Sequence, residues 1–96
     1  METVLKFESK NLQKIKDILL KDDLVSRSSM IFKDGSFVNK EGYFCYISGT
    51  EEQVKRAIEI SKELAKEAEE KDKKEIIAKI KDEEQKAAEG MGSIFG

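Results

Sequence analysis

Between Ala68 and Glu89 the chain contains neither Gly nor Pro, its apolar periodicity lapses for a turn and a half, and acidic and basic residues alternate. Such a segment can stay helical through acid-to-base pairs four residues apart. Glu67/Lys71, Glu69/Lys73, Glu70/Lys74, Glu75/Lys79 and Asp82/Lys86 all have the favourable order. It does not need to pack against anything to do so. A chain of 96 residues is expected to form one domain, since it is too small for two lobes with separate cores. Ile76, Ile77 and Ile80 restore a narrow apolar strip, which predicts contact with a partner helix or a return onto the domain. One unbroken helix from Thr50 to Glu89 would be roughly 60 Å long, so the segment either projects or breaks near 70–73.

The first two thirds read as a sheet with helices. Thr3 to Glu8 alternates as a short strand. Ser9-Lys10-Asn11 supplies capping groups, and Leu12, Ile15, Ile18 and Leu19 recur at helical spacing. Ser28 to Phe32, Ser36 to Asn39 and Tyr43 to Ser48 are strand candidates, and Asp34-Gly35 between apolar runs predicts a tight hairpin. Thr50-Glu51-Glu52-Gln53 has the form of a capping box, from which Val54, Ala57, Ile58, Ser61, Leu64, Ala65 and Ala68 continue as an apolar stripe. The expected fold is α+β, a two-layer β-α-β-(β)-β-α sandwich with its helices on one face, a ferredoxin-like half. A long charged C-terminal helix and a flexible tail extend it. The expected divisions are a domain over 1–65, a charged helical extension over 66–89 and an apolar tail over 90–96.

Composition narrows the chemistry. With no His and a single Cys, the chain has no Ser-His-Asp triad, no Cys-His pair, no His metal site and no internal disulfide. Cys45 sits within the apolar run Tyr43 to Ile47 and reads as packing. The carboxylates are interleaved with Lys, as on a solvated helix face, and Gly35, Gly42 and Gly49 are spaced as turn residues rather than as a phosphate loop. A non-enzymatic protein without cofactor or metal is expected. The formal net charge of -2 provides no global field for nucleic acid. No apolar run approaches membrane-span length, and the N-terminus has no secretory pattern, so the cytoplasm is the expected location.

Tyr43, Phe44 and Tyr46 lie on a strand, where aromatic rings can stack single-stranded RNA bases. The run Lys40 to Ile47 is loosely similar to the aromatic motif of single-strand RNA-binding modules. It differs in the acidic residue after the Lys and in Phe44, which stands where a small residue is usual. Residues 1–49 carry eight Lys or Arg against seven Asp or Glu, so no basic platform surrounds the rings. Packing in a core or a dimer interface is the competing reading.

The chain ends Ala88-Glu89-Gly90-Met91-Gly92-Ser93-Ile94-Phe95-Gly96. Three glycines after Glu89 disfavour a free helix. Ala88, Met91, Ile94 and Phe95 would nevertheless share one edge if a groove imposed helix, as when a segment folds on binding. The alternative is that Met91, Ile94 and Phe95 tuck back onto the protein's own sheet.

This ending resembles the C-terminal motif of archaeal ribosomal stalk proteins, in which a charged segment ends in Glu-Gly-Leu-x-x-Leu-Phe-Gly. Glu89, Gly90, Phe95 and Gly96 match, and Met91 and Ile94 stand where the family has leucines. The resemblance implies a tail that recruits translational GTPase factors through Met91, Ile94 and Phe95. The rest departs from that family, whose members are helical dimers with an Ala-rich acidic hinge. In architecture the first part is similar to the small dimerising subunit of the KEOPS tRNA-modification complex, which implies a tRNA-associated role as the alternative. The combined expectation is a dimeric interaction protein that pairs through its sheet edge or long helix and displays a C-terminal peptide to a protein partner.

Overall fold

The computed structural model describes residues 1–83 in full and the backbone of residues 84–95. The elements run β1 (Glu2–Phe7), α1 (Leu12–Lys21), β2 (Ser29–Asp34), β3 (Tyr43–Ser48), α2 (Glu51–Ser61), β4 (Ala65–Glu67) and α3 (Glu70–Phe95). The four strands form one sheet in the order β2-β3-β1-β4, and every neighbouring pair is antiparallel. The fold is α+β, as the sequence predicts.

Strand alternation divides the sheet residues between two faces. On the first face Leu5, Phe7, Cys45 and Ile47 pack against Ile15 and Leu19 of α1 and Val54 and Ala57 of α2. α1 offers that stripe because its apolar residues return every three to four positions. It stops at Asp22, whose carboxylate accepts from the backbone N–H groups of Leu24 and Val25 and pairs with Arg56 of α2 at 2.9 Å. The capping box at the start of α2 is complete: Gln53 N–H donates to Thr50 Oγ1, and Thr50 N–H donates to Gln53 Oε1.

On the second face Val4, Phe44 and Tyr46 are covered by Ile76 and Ile80 of α3. This corrects the two-layer expectation. Helices lie on both sides of the sheet, which makes three layers, because β3 is apolar on both faces and neither can be left wet without cost.

The apolar stripe expected to run on to Ala68 is also corrected, since α2 ends at Ser61. Lys62 N–H turns back to Glu59 O and Leu64 N–H to Ser61 O, and Ala65–Glu67 then pairs with β1 as β4. Without β4 the outer backbone groups of β1 would lack ladder partners, and the tertiary pairing outweighs the local helix preference of Ala-Lys-Glu. The boundary expected at residue 65 therefore falls inside a strand, and Ala68 belongs to the second core.

A further difference lies between β2 and β3. Ser36 to Asn39 is no strand: Gly35–Val38 forms a 3-10 turn, closed by Asn39 in the left-handed region. Asp34 does not enter a two-residue hairpin turn. Its backbone is extended and its carboxylate accepts from Ser36 N–H. Gly42 has φ +84°, and a side chain there would also press on Phe7 O.

Candidate functional site

The sheet face beneath α3 brings together Phe44 and Tyr46, two of the aromatic candidates, with the strip Ile76, Ile77 and Ile80. β3 sends Phe44 and Tyr46 to this face and Cys45 and Ile47 to the other. Tyr43 joins Cys45 on the first face, where its ring lies 5.7 Å from that of Phe7. The expected platform of Tyr43, Phe44 and Tyr46 is thus not one surface. Phe44 is 1% exposed and Tyr46 8%, so a base could stack on them only after α3 had left the sheet.

α3 covers this face with a small apolar strip and a rim of charge. Ile76 and Ile80, 0% and 2% exposed, reach the sheet one turn apart, and Ile77 packs beside them. Phe37 and Val38 close one side of the strip, and the ammonium groups of Lys33 and Lys79 lie 5.3 and 5.8 Å from the Phe37 ring centre.

Around the strip, Lys40 pairs with Asp72 at 2.8 Å and Glu75 at 3.3 Å, and Lys73 with Glu67 at 2.7 Å. Lys33 pairs with Glu83 at 2.9 Å and Lys81 with Glu2 at 3.7 Å. Tyr46 donates its hydroxyl to Glu2, and Thr3 donates to Glu67 at 2.7 Å. The charges of α3 thus reach across to the sheet and its turns. Lys73, for example, is taken up by Glu67 and Glu70 rather than by Glu69 four residues before it.

These contacts shift the ionisations of the groups that make them. The hydrogen bond from Lys73, reinforced by Thr3, holds the Glu67 carboxyl below its ordinary 4.5. Lys40 holds Asp72 below 3.8 in the same way. Hydrogen bonds to Asp72 and Glu75 raise Lys40 above 10.5, and the bond to Glu67 raises Lys73.

The remaining candidates offer less chemistry. Burial pushes the Cys45 thiol up to about 12, so it stays protonated at neutral pH and is no nucleophile. A cleft of about 770 Å³ lies where β1 and β4 end, lined by Lys6, Glu8, Glu63, Lys66 and Asp72 among others. Its charges are of both signs. Among the described residues no group of His, Cys, Asp or Glu is placed to hold a metal ion, and no helix is long and apolar enough to cross a membrane. The side chains of Met91, Ile94 and Phe95, and with them the expected flexible tail over 90–96, lie outside the residues described in full.

The rim residues Glu2, Lys33 and Lys40 have no signature in the sequence. The signal that could have found the covered face is the double apolar character of Tyr43 to Ile47, since a strand apolar on both sides requires a layer on each.

Fold and site together define an α+β protein whose sheet is enclosed on both faces, with its last helix clamped across the second. No protein-family model, curated protein or solved structure matches the chain.

Proposed function

We propose that this is a non-enzymatic interaction protein in which α3 mounts the C-terminal peptide for a hydrophobic groove on another protein. The observation that carries the reading is the way α3 is rooted. Ile76 and Ile80 and the surrounding ion pairs fix the helix between Asp72 and Glu83 to a rigid sheet, and the sequence then runs on through Glu89-Gly90 to Met91, Ile94 and Phe95. A segment attached at one end to an ordered domain and apolar at the other suits presentation to a partner. The connectivity β1-α1-β2-β3-α2-β4 with strand order β2-β3-β1-β4 supports the ferredoxin-like reading of the domain, with α3 as the long charged helix added to it.

The stalk-like ending points to translational GTPase factors as the partner class, with Met91, Ile94 and Phe95 as the contact residues. Phe95 is the anchor, because an aromatic ring buries the most apolar area per side chain. Titration of the full chain against a purified translational GTPase factor tests this. Phe95→Ala should weaken binding by about 2 kcal/mol or more while leaving the thermal midpoint nearly unchanged. No binding by the parent chain, or a lowered midpoint with binding intact, contradicts the reading.

A further inference from the structure

The two edges of the sheet are treated differently. The β4 edge is three residues long and carries Lys66 and Glu67, the short and charged form that blunts an edge against pairing. The β2 edge is six residues long, reads Ser-Met-Ile-Phe-Lys-Asp, and is bordered on its inner side alone by a strand. Its middle three residues are apolar and only partly buried. The chain has no Pro to interrupt it.

The hydrogen-bond phase of this edge follows from the ladder. Gly35 N–H donates to Gly42 O in continuation of the β2·β3 register, so Lys33, Ile31 and Ser29 bond inward to β3. Met30, Phe32 and Asp34 therefore turn their N–H and C=O groups outward.

The side chains add a second observation. Met30 and Phe32 belong to the first face and Ile31 to the second. Lys16 of α1 lies 5.4 Å from the Phe32 ring centre, and Leu20, one turn further along the same side of α1, is 53% exposed. Leu20 and Met1 are the exposed large apolar residues among those described. The exposed Leu20 thus shares the side of α1 from which Lys16 reaches Phe32.

We infer that β2 pairs antiparallel with β2 of a second copy of this chain, about a two-fold axis at Ile31, to make one continuous eight-stranded sheet. The run Met-Ile-Phe is apolar read in either direction, which suits it to itself. With the axis at Ile31, Met30 faces Phe32 of the second copy on one side of the sheet and Ile31 faces Ile31 on the other. Lys33 then meets Ser29, and no like charges are opposed. Met30 and Phe32, the residues with outward backbone groups, become the hydrogen-bonded pair. Moving the axis to Phe32 keeps the phase but sets Ile31 against Lys33 and Met30 against Asp34. A one-residue slip puts side chains on the wrong faces. Of these registers, self-pairing at Ile31 sets no charge against an apolar residue, and its two-fold axis places the α1 helices of both copies on the same side of the joint.

The proposal is tested on the full chain by sedimentation equilibrium and amide hydrogen exchange at micromolar and millimolar concentration. A concentration-dependent dimer is expected, in which the Met30 and Phe32 amides slow by about tenfold or more while those of Ile31 and Lys33, already bonded to β3, change little. Met30→Pro removes an outward N–H and no inward one, and should yield a monomer. Leu20→Lys, on an exposed position, should weaken the dimer even if the proline variant fails to fold. Ile31→Cys should cross-link two copies under oxidation, because facing non-hydrogen-bonded positions lie within disulfide reach. A monomer at every concentration with freely exchanging Met30 and Phe32 amides overturns the proposal. So does a dimer indifferent to both Met30→Pro and Leu20→Lys, and cross-linking through Phe32→Cys in place of Ile31→Cys overturns the register.

Discussion

The two faces of the sheet are closed by different means. On the first, α1 and α2 bury Ile15, Leu19, Val54 and Ala57 over Leu5, Phe7, Cys45 and Ile47, and one ion pair, Arg56 with Asp22, joins the helices at the rim. On the second, a single helix contributes Ile76 and Ile80, with Ile77 at the margin, and the sheet and its turns answer with ion pairs from Lys33, Lys40, Glu2 and Glu67. Apolar area holds the first layer and is indifferent to pH. The second buries fewer apolar residues and leans on partly exposed charge, which water and salt screen. The α3 layer is therefore expected to be the weaker one and to open ahead of the rest.

The largest effect should come from breaking the first face. Leu19 is fully buried, and Leu19→Ala should cost about 3–5 kcal/mol of global stability by denaturant titration. Ile76 is equally buried but belongs to the single helix that covers the second face. Ile76→Ala should cost about 2–3 kcal/mol, and the loss should appear first as release of α3. Equal costs with a single shared transition would erase the distinction between the faces.

A smaller effect is expected from pH. Glu67 and Asp72 ionise below their ordinary 4.5 and 3.8, so their contribution is complete above those values and is lost as pH falls through the lower folded ones. Lys40 and Lys73 lie above 10.5, so theirs is complete below that value and is lost as pH rises through the raised ones. Attachment of α3 should be level between about pH 5 and 10 and weaken on either side. The ring resonances of Tyr46, which lies under α3, report it directly. Asp22 is also depressed, chiefly by Val25 N–H, and Glu51 of α2 by Lys55, so the helices of the first face carry acid-sensitive contacts too. Tyr46 resonances that stayed fixed until the whole domain unfolded would show the rim charges to be incidental.

The same contrast explains what could be read from the sequence. The first face was legible, because β1, α1, β3 and the Thr50–Gln53 cap each carry their own local signal: alternation, helical spacing, a reciprocal cap. The second was legible only in part. Ile76, Ile77 and Ile80 stand out as a strip needing a partner, but three residues do not name the surface that receives them. β4 was hidden, since Ala-Lys-Glu has neither alternation nor β-branched side chains and becomes a strand only because β1 has an edge to fill. Asp34-Gly35 misled for a related reason. The turn is set by the left-handed Asn39 and Gly42 further on, which let the chain close a longer loop. Phe44 and Tyr46 looked like a binding platform because local spacing cannot distinguish a ring that faces solvent from one that faces a helix arriving thirty residues later.

Native-state hydrogen exchange, resolved by residue, tests most directly whether α3 is a separately held layer. The account predicts that amides of residues 76–80 exchange through an opening of lower free energy than those of Leu5, Cys45 and Ile47 in the central ladder, and that the gap widens below pH 4. Exchange of both sets through one global unfolding, with the same free energy and the same pH response, would contradict it.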